Sequence, residues 1–173
     1  MNNLKFKTNR VWYFIVTLCI PGGLLAVESD NLQGIQFSSD GGSTMRTNGN
    51  VRILEMSDNV KIAQGTLQIS GSTAVFEYVA SSNELTRITV HGTPVRYQQQ
   101  LDEDGGLVIG TSNTILYYTD EIDGETIIEL IGSANVTSPD SAMKCASITY
   151  LATRDLIREA TGPCEGVLNT QSN

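Results

Sequence analysis

Few residues of this chain could carry out chemistry, and its one histidine is the first to consider. His91 directly precedes a Gly-Thr-Pro segment. A general base or a zinc ligand needs carboxylate, thiolate or imidazole partners at characteristic spacings, and none accompanies His91. We therefore expect His91 to be an ordinary residue at the end of a strand.

Two acidic clusters, residues 102–104 and 120–123, resemble a calcium loop in composition but not in spacing. A calcium loop places its oxygen ligands at alternate positions and ends in a bidentate glutamate. The chain also has no Gly-x-Ser-x-Gly elbow, phosphate-binding glycine loop or metalloprotease helix motif. We expect the clusters to be solvated hairpin tips, and the protein to use no metal or cofactor and not to be an enzyme.

The first 26 residues have the order of a secretory signal peptide. Three basic residues and no acidic one precede an apolar run at residues 11–20, and a Pro-Gly-Gly segment and Ala26 follow. A helix that spans a bilayer needs roughly 20 apolar residues. We predict that residues 1–26 are a cleaved signal peptide, which would remove Cys19, and that residues 27–173 form one domain, ordered from about residue 33 to 165.

The predicted mature chain would have 8 basic and 19 acidic residues, a formal charge of −11. Such a charge disfavours nucleic acid as a partner. In an oxidising compartment the two remaining cysteines, Cys145 and Cys164, could form a disulfide worth about 3 kcal/mol. The alternative is a buried Cys145 and a free Cys164.

Short runs that alternate apolar and polar residues indicate an all-β fold. The alternating pairs are Val51 and Ile53, Val60 and Ile62, Leu67 and Ile69, Phe76 and Tyr78, Ile88 and Val90, and Val95 and Tyr97. Turn-forming residues at 48–50, 57–59, 71–72, 81–83, 102–106 and 123–124 predict antiparallel connections.

Part of this pattern repeats with an offset of 40 residues. The spacing of apolar residues in the stretch 67–92 recurs in the stretch 107–132, and a degenerate third copy ends at Gly162. Repeated hairpins that share one core predict an elongated two-sheet sandwich or jellyroll. Periodicity predicts which side chains face inwards, but it leaves open whether the interior is an apolar groove or a packed core.

Five segments of the chain resemble the LptA/OstA-like domain family of lipopolysaccharide transport proteins. They read GIQFSSD at 34–40, GNV at 49–51, DNVKIAQGTLQI at 58–69, GTPVRYQ at 92–98 and LIGSANV at 130–136. The resemblance implies an antiparallel β-jellyroll with an open apolar groove that shields the acyl chains of lipopolysaccharide in the periplasm of a Gram-negative bacterium. It further implies head-to-tail self-association, and LptC-like inner-membrane and LptD-like outer-membrane partners.

Carried over by position, the resemblance places Ile35 and Phe37 at the N-terminal mouth of the groove, with Tyr97 and Tyr118 further in. Periodicity adds Ile62, Leu67, Ile69, Phe76, Ile88, Val90, Leu116, Ile128 and Leu130 as inward-facing residues. The third copy departs from the pattern, because Arg158 stands where the first two copies have isoleucine. Two alternatives remain, a non-enzymatic structural or interaction domain with a dry core and an LptC-like sibling of the same fold.

Overall fold

A computed structural model describes residue 30 and the ranges 33–101, 106–122 and 124–168. The predicted signal peptide and the acidic cluster at 102–104 lie outside the described residues. The described ranges form ten β-strands: β1 (Gln36–Ser38), β2 (Ser43–Asn48), β3 (Val51–Gln64), β4 (Leu67–Val79), β5 (Leu85–Gln100), β6 (Leu107–Thr119), β7 (Thr126–Ser138), β8 (Ser141–Leu151), β9 (Leu156–Thr161) and β10 (Glu165–Leu168). In this part of the chain, no helix has the length and hydropathy that a membrane span requires.

All ten strands belong to one antiparallel sheet, which confirms the predicted all-β class. The order is β1-β3-β4-β5-β6-β7-β8-β10, with β2 also paired to β3 and β9 also paired to β8. The central strands β3 to β8 connect consecutively, so each pairs with its neighbours in the chain. The two sheets expected from the sequence are therefore two parts of a single sheet.

The central strands are long, and every pairing between them shifts register near the middle of the strands. We call the segments on the side of β2 and β9 layer A and the segments on the side of β1 and β10 layer B. Layer A comprises residues 51–57, 73–79, 85–91, 114–119, 126–131 and 147–151. Layer B comprises residues 60–64, 67–71, 95–100, 107–112, 134–138 and 141–145.

Aromatic contacts show that the sheet folds over at these shifts. Phe37 pairs with Ile62 in layer B, yet its ring centroid lies 5.1 Å from that of Phe76 in layer A. Likewise, the ring of Tyr97 in layer B lies 6.1 Å from that of Tyr150 in layer A. The two layers therefore face each other, and the interior lies between them.

The turn predictions at 57–59 and 71–72 were wrong, because both segments lie inside long strands. Asp58 and Asn59 have φ of 62° and 50° within β3, and Gly132 and Ser133 have φ of 79° and 53° within β7. Residues that accept positive φ serve β-bulges as readily as they serve turns. Here they bend the strands along the line where the sheet folds.

Candidate functional site

Most of the residues predicted to face the interior do so. Ile62, Leu67, Ile69, Phe76 and Tyr97 are each at most 3% exposed. The four isoleucine, valine and leucine residues that the repeat assigns to the interior of β5 and β7 are also buried: Ile88, Val90, Ile128 and Leu130. These side chains form one apolar cluster between layers A and B.

The end of the interior next to β1 and β2 presents apolar side chains to solvent. Phe37 on β1 is 47% exposed, although its cross-strand partner Ile62 belongs to the core. Met45 on β2 is 61% exposed, and its partner Leu54 is also buried. Cross-strand partners share a face of the sheet, so both side chains face inwards. We call Phe37 and Met45 the N-terminal mouth.

An aromatic series leads from this mouth into the core. Phe37 contacts Phe76, which is fully buried, and the ring of Tyr78 stacks on Phe76 at 6.5 Å. Partial burial raises the pKa of the Tyr78 hydroxyl. Ile35, the other predicted residue of this mouth, is partly buried against the same core.

The opposite end of the interior also presents an apolar side chain. Leu168 on β10 pairs with Ser141 and is 73% exposed. It lies two residues from Gly166, whose partner Met143 packs against the core, so Leu168 shares the inward face. The sequence reasoning missed Met45 and Leu168, because a terminal strand of four to six residues carries almost no periodic signal.

Leu116 and Tyr118 were wrongly predicted to face the interior. In β6 the inner face is taken by Ile115, which is fully buried, and by Tyr117, which is 7% exposed. A shift of one residue moves a side chain to the other face of a sheet, and the offset of 40 is off by one residue in this strand. Leu107, the copy of the buried Leu67, is accordingly 41% exposed.

Tyr118 instead belongs to a polar cluster on the outer face of layer A. Its hydroxyl donates a hydrogen bond to the Glu129 carboxylate, and the Arg87 guanidinium lies 5.9 Å from its ring centroid. Partial burial, together with the neighbouring Glu129, raises the pKa of Tyr118 to about 12. The Tyr118 side chain therefore faces away from the interior.

The long side of the interior, where the strand ends of the two layers meet, is closed by polar contacts. Tyr117 of layer A donates a hydrogen bond of 2.7 Å to the Gln64 side chain of layer B. The Gln64 amide in turn donates to the backbone oxygen of Gln33, which precedes β1. We call this contact between the layers the seam.

Asp30 adds a second set of polar contacts along the strand ends of layer B. Its carboxylate accepts hydrogen bonds from the Thr66 backbone, at 2.7 Å, and from the Gln99 amide, at 3.2 Å. The Tyr97 hydroxyl donates to Gln99 at 2.6 Å. Among the described residues, every buried side-chain nitrogen and oxygen has a hydrogen-bond partner, so this polar row is stable in a low-dielectric setting.

Cys145 and Cys164 form a disulfide in the structure, with a Cα–Cα distance of 4.2 Å. Cys145 lies in β8 and Cys164 immediately precedes β10. The bridge therefore holds the last strand against layer B at the C-terminal edge of the sheet.

The residues considered above for catalysis or metal binding, His91 and Asp120, contact neighbouring side chains of the sheet. His91 is exposed, and its Nδ1 lies 3.0 Å from the Thr114 hydroxyl. The Ile122 backbone N–H, at 2.9 Å, and the Arg158 guanidinium, at 3.1 Å, both donate hydrogen bonds to Asp120 and lower its pKa. Within the described ranges, no three His, Cys, Asp or Glu residues come together as a metal site would require.

Comparison with known proteins agrees with this geometry. A family model described as LptA/(LptD N-terminal domain) LPS transport protein matches residues 39–155. Among solved structures, the chain is similar to LptH of Pseudomonas aeruginosa, described as the LptA homologous periplasmic component of the conserved lipopolysaccharide transport device. That similarity has a TM-score of 0.66 and 20% identity over 82% of this chain and 99% of that chain.

At this identity the structural similarity establishes the fold, and no curated protein sequence matches the chain significantly. The family model, however, covers more than half of the chain. The chain therefore belongs to the LptA/LptD N-terminal domain family of lipopolysaccharide transport proteins.

Proposed function

We propose that this protein is an exported, periplasmic carrier that binds lipopolysaccharide by its acyl chains and performs no chemistry on it. The observation that carries the proposal is the continuity between the N-terminal mouth and the core. Phe37 is half exposed at the edge of the sheet and contacts the fully buried Phe76. An acyl chain that displaces water from Phe37 and Met45 meets apolar surface without a break.

Deeper insertion requires the two layers to separate, because the centre of the interior is packed. Val60, Val90 and Leu130 are fully buried. Acyl burial contributes roughly 0.8 kcal/mol per methylene, so ten shielded methylenes supply on the order of 8 kcal/mol. That gain exceeds the cost of breaking a hydrogen bond such as the one between Tyr117 and Gln64, which is about 1 kcal/mol.

Head-to-tail association is the second part of the proposal. In the described chain, β1 and β2 have a strand on one side only, as do β9 and β10. Unpaired edges of this kind template pairing with another strand, and a contact between unlike edges continues into a filament. The same edges would receive LptC-like and LptD-like partners at the two membranes.

The proposal is tested by a photo-crosslinking residue placed at Phe37, with the same residue at Thr89 as the control. Thr89 lies on the outer face of layer A, opposite Val75 and Leu116. With purified lipopolysaccharide we expect a lipid adduct at Phe37 and none at Thr89. No adduct at Phe37 in a folded protein would instead favour a structural domain with a dry core, which the packed interior would suit.

The substitution Phe37→Asp provides a second test of the mouth. A carboxylate there disfavours entry of acyl chains, because an ionised group is costly to bury without a partner. We expect lipid binding to be lost while the circular dichroism spectrum of the folded chain is retained, since Phe37 is already 47% exposed. Unchanged lipid binding would remove Phe37 from the site.

A further inference from the structure

Two basic residues lie close together on the outer face of layer B, near β1. Lys61 on β3 and Arg96 on β5 both lie there, and both are exposed. Each pairs across the sheet with Ser70 on the strand between them. Adjacent strands lie about 4.8 Å apart, so the two basic residues stand about 10 Å apart on one face.

These two cations lack the partners that the other basic residues have. Ion pairs join Arg46 to Glu55, Arg87 to Glu77, Lys144 to Glu165, Arg154 to Glu125 and Arg158 to Asp120. Arg52 donates to the Asn83 side chain. In the part of the chain that the structure describes, Lys61 and Arg96 have no such contact with an acidic or amide side chain.

Lys61 and Arg96 line an open pocket on this face, with a volume of about 670 Å³. We call it the outer basic surface. Its other lining residues include the hydroxyl groups of Ser38 and Ser70, the three glutamines Gln36, Gln68 and Gln98, and apolar residues such as Phe37 and the exposed Ile109. None of the lining residues is an aspartate or glutamate. Gln98 donates to Gln68 at 3.3 Å, which holds the two amides side by side.

The chemistry of this surface suits one class of ligand. A guanidinium and an ammonium group bind phosphate, and Arg does so with a rigid fork of donors. The neutral hydroxyl and amide groups around the two cations can exchange hydrogen bonds with sugar hydroxyls. Two phosphates on a short saccharide would match two cations about 10 Å apart.

The outer basic surface is continuous with the N-terminal mouth through strand β1. Gln36 and Ser38 point to the outer face and line this surface, whereas Phe37 between them points inwards and its ring contacts Phe76. One molecule astride this three-residue edge strand would therefore have its apolar part against Phe37 and its polar part over Gln36 and Ser38.

We propose that the outer basic surface, through Lys61 and Arg96, binds the phosphorylated sugar head group of the glycolipid whose acyl chains enter at Phe37. This inference rests on the proposed function for the identity of the lipid. It explains how a strongly acidic protein holds an anionic lipid, since the two cations that have no acidic partner among the described residues lie next to the mouth. The attraction is exposed to solvent, so added salt weakens it.

The test uses the bisphosphorylated glucosamine disaccharide without acyl chains as the probe, titrated into the full mature protein by calorimetry. The variant is Lys61→Gln with Arg96→Gln. The matched control is Arg46→Gln with Arg87→Gln, which removes the same charge from the outer face of layer A. All four side chains are on the surface, so both double variants should keep the thermal midpoint of the wild type to within a few degrees.

We expect the wild type to bind the disaccharide, and the first double variant to bind it about tenfold or more weakly, because two charge-assisted contacts are lost. The control should stay within about twofold of the wild type, since it retains both contacts. Equal losses in the two double variants would show that only net charge matters and would overturn the proposal. Binding of inorganic phosphate as tight as that of the disaccharide would also contradict it, because sugar contacts would then contribute nothing.

A second arm separates this inference from the proposed function. Dephosphorylated lipid A that still crosslinks at Phe37, together with a disaccharide that does not bind, would leave acyl carriage in place and reject the outer basic surface. A disaccharide that binds through Lys61 and Arg96, together with lipid that never crosslinks at Phe37, would support the outer basic surface and reject acyl carriage at Phe37.

Discussion

At the residue scale, Tyr117 joins the two layers through one hydrogen bond to Gln64. We expect Tyr117→Phe to lower the free energy of unfolding by about 1 kcal/mol, because a buried acceptor loses its donor. Urea unfolding followed by circular dichroism measures this. Tyr118→Phe is the control, since its hydroxyl bonds Glu129 on the outer face. An equal or larger loss for Tyr118→Phe would argue against the seam.

Buried tyrosines should make the folded protein less stable at alkaline pH. Burial is the main cause that raises the pKa of Tyr97, Tyr117 and Tyr150. A pKa raised in the folded state means that stability is fully present below the unfolded value, about 10, and is lost as pH rises towards the folded value. We expect the melting temperature to fall as the pH rises above about 10, and to fall less in Tyr97→Phe. A flat profile in this range would contradict the assignment.

At the scale of elements, the register of β6 places Ile115 in the interior and Leu116 on the opposite face. We expect Ile115→Ala to destabilise the protein by about 2–5 kcal/mol, because it leaves a cavity in a packed core. Leu116→Ala, on the opposite face of the same strand, should cost less than half as much. Chemical denaturation of the two variants measures the difference. A larger loss for Leu116→Ala than for Ile115→Ala would show that Leu116 faces the interior, as the repeat predicts.

The disulfide at the end of the sheet is also an element-scale feature. Alkylation of the intact protein under denaturing, non-reducing conditions should label neither Cys145 nor Cys164. Replacing both by alanine should lower the free energy of unfolding by about 3 kcal/mol, because the unfolded chain is no longer cross-linked. Two labelled thiols in the wild type would exclude the bridge in solution.

At the scale of the whole molecule, the packed interior means that the proposed lipid loading would require layers A and B to separate. Cysteines introduced at Gln64 and Tyr117 and joined by a bismaleimide would hold the seam closed. We expect the joined protein to lose lipid adducts at positions deeper than Phe37, such as Tyr97, and the unjoined double variant to keep them. Loading that is equal in the two forms would show that acyl chains bind without opening the seam.

Much of this molecule was predictable from local pattern. Alternation of apolar and polar residues predicted the strands, and the inward faces of β4 and β5 followed from Phe76, Ile88 and Val90, because a strand has a strict period of two. The quoted segments carried the resemblance to the family, which the family model over residues 39–155 confirms. These features depend on neighbours in the chain.

What only the tertiary structure decided is how the strands bend and which distant residues meet. Asp58 and Asn59 look like a turn in sequence, but β3 pairs with β4 on both sides of them, so they form a bulge. The number of residues in a bulge determines which face of the sheet the later side chains of the strand occupy. The meeting of Tyr117 with Gln64 depends on this folding of one sheet onto itself. The one-residue shift in β6 is already present at Leu107, where the strand begins, so it arises in the connection between β5 and β6. Cross-strand register and layer contacts join residues far apart in the chain, and a periodic pattern carries no information about such contacts.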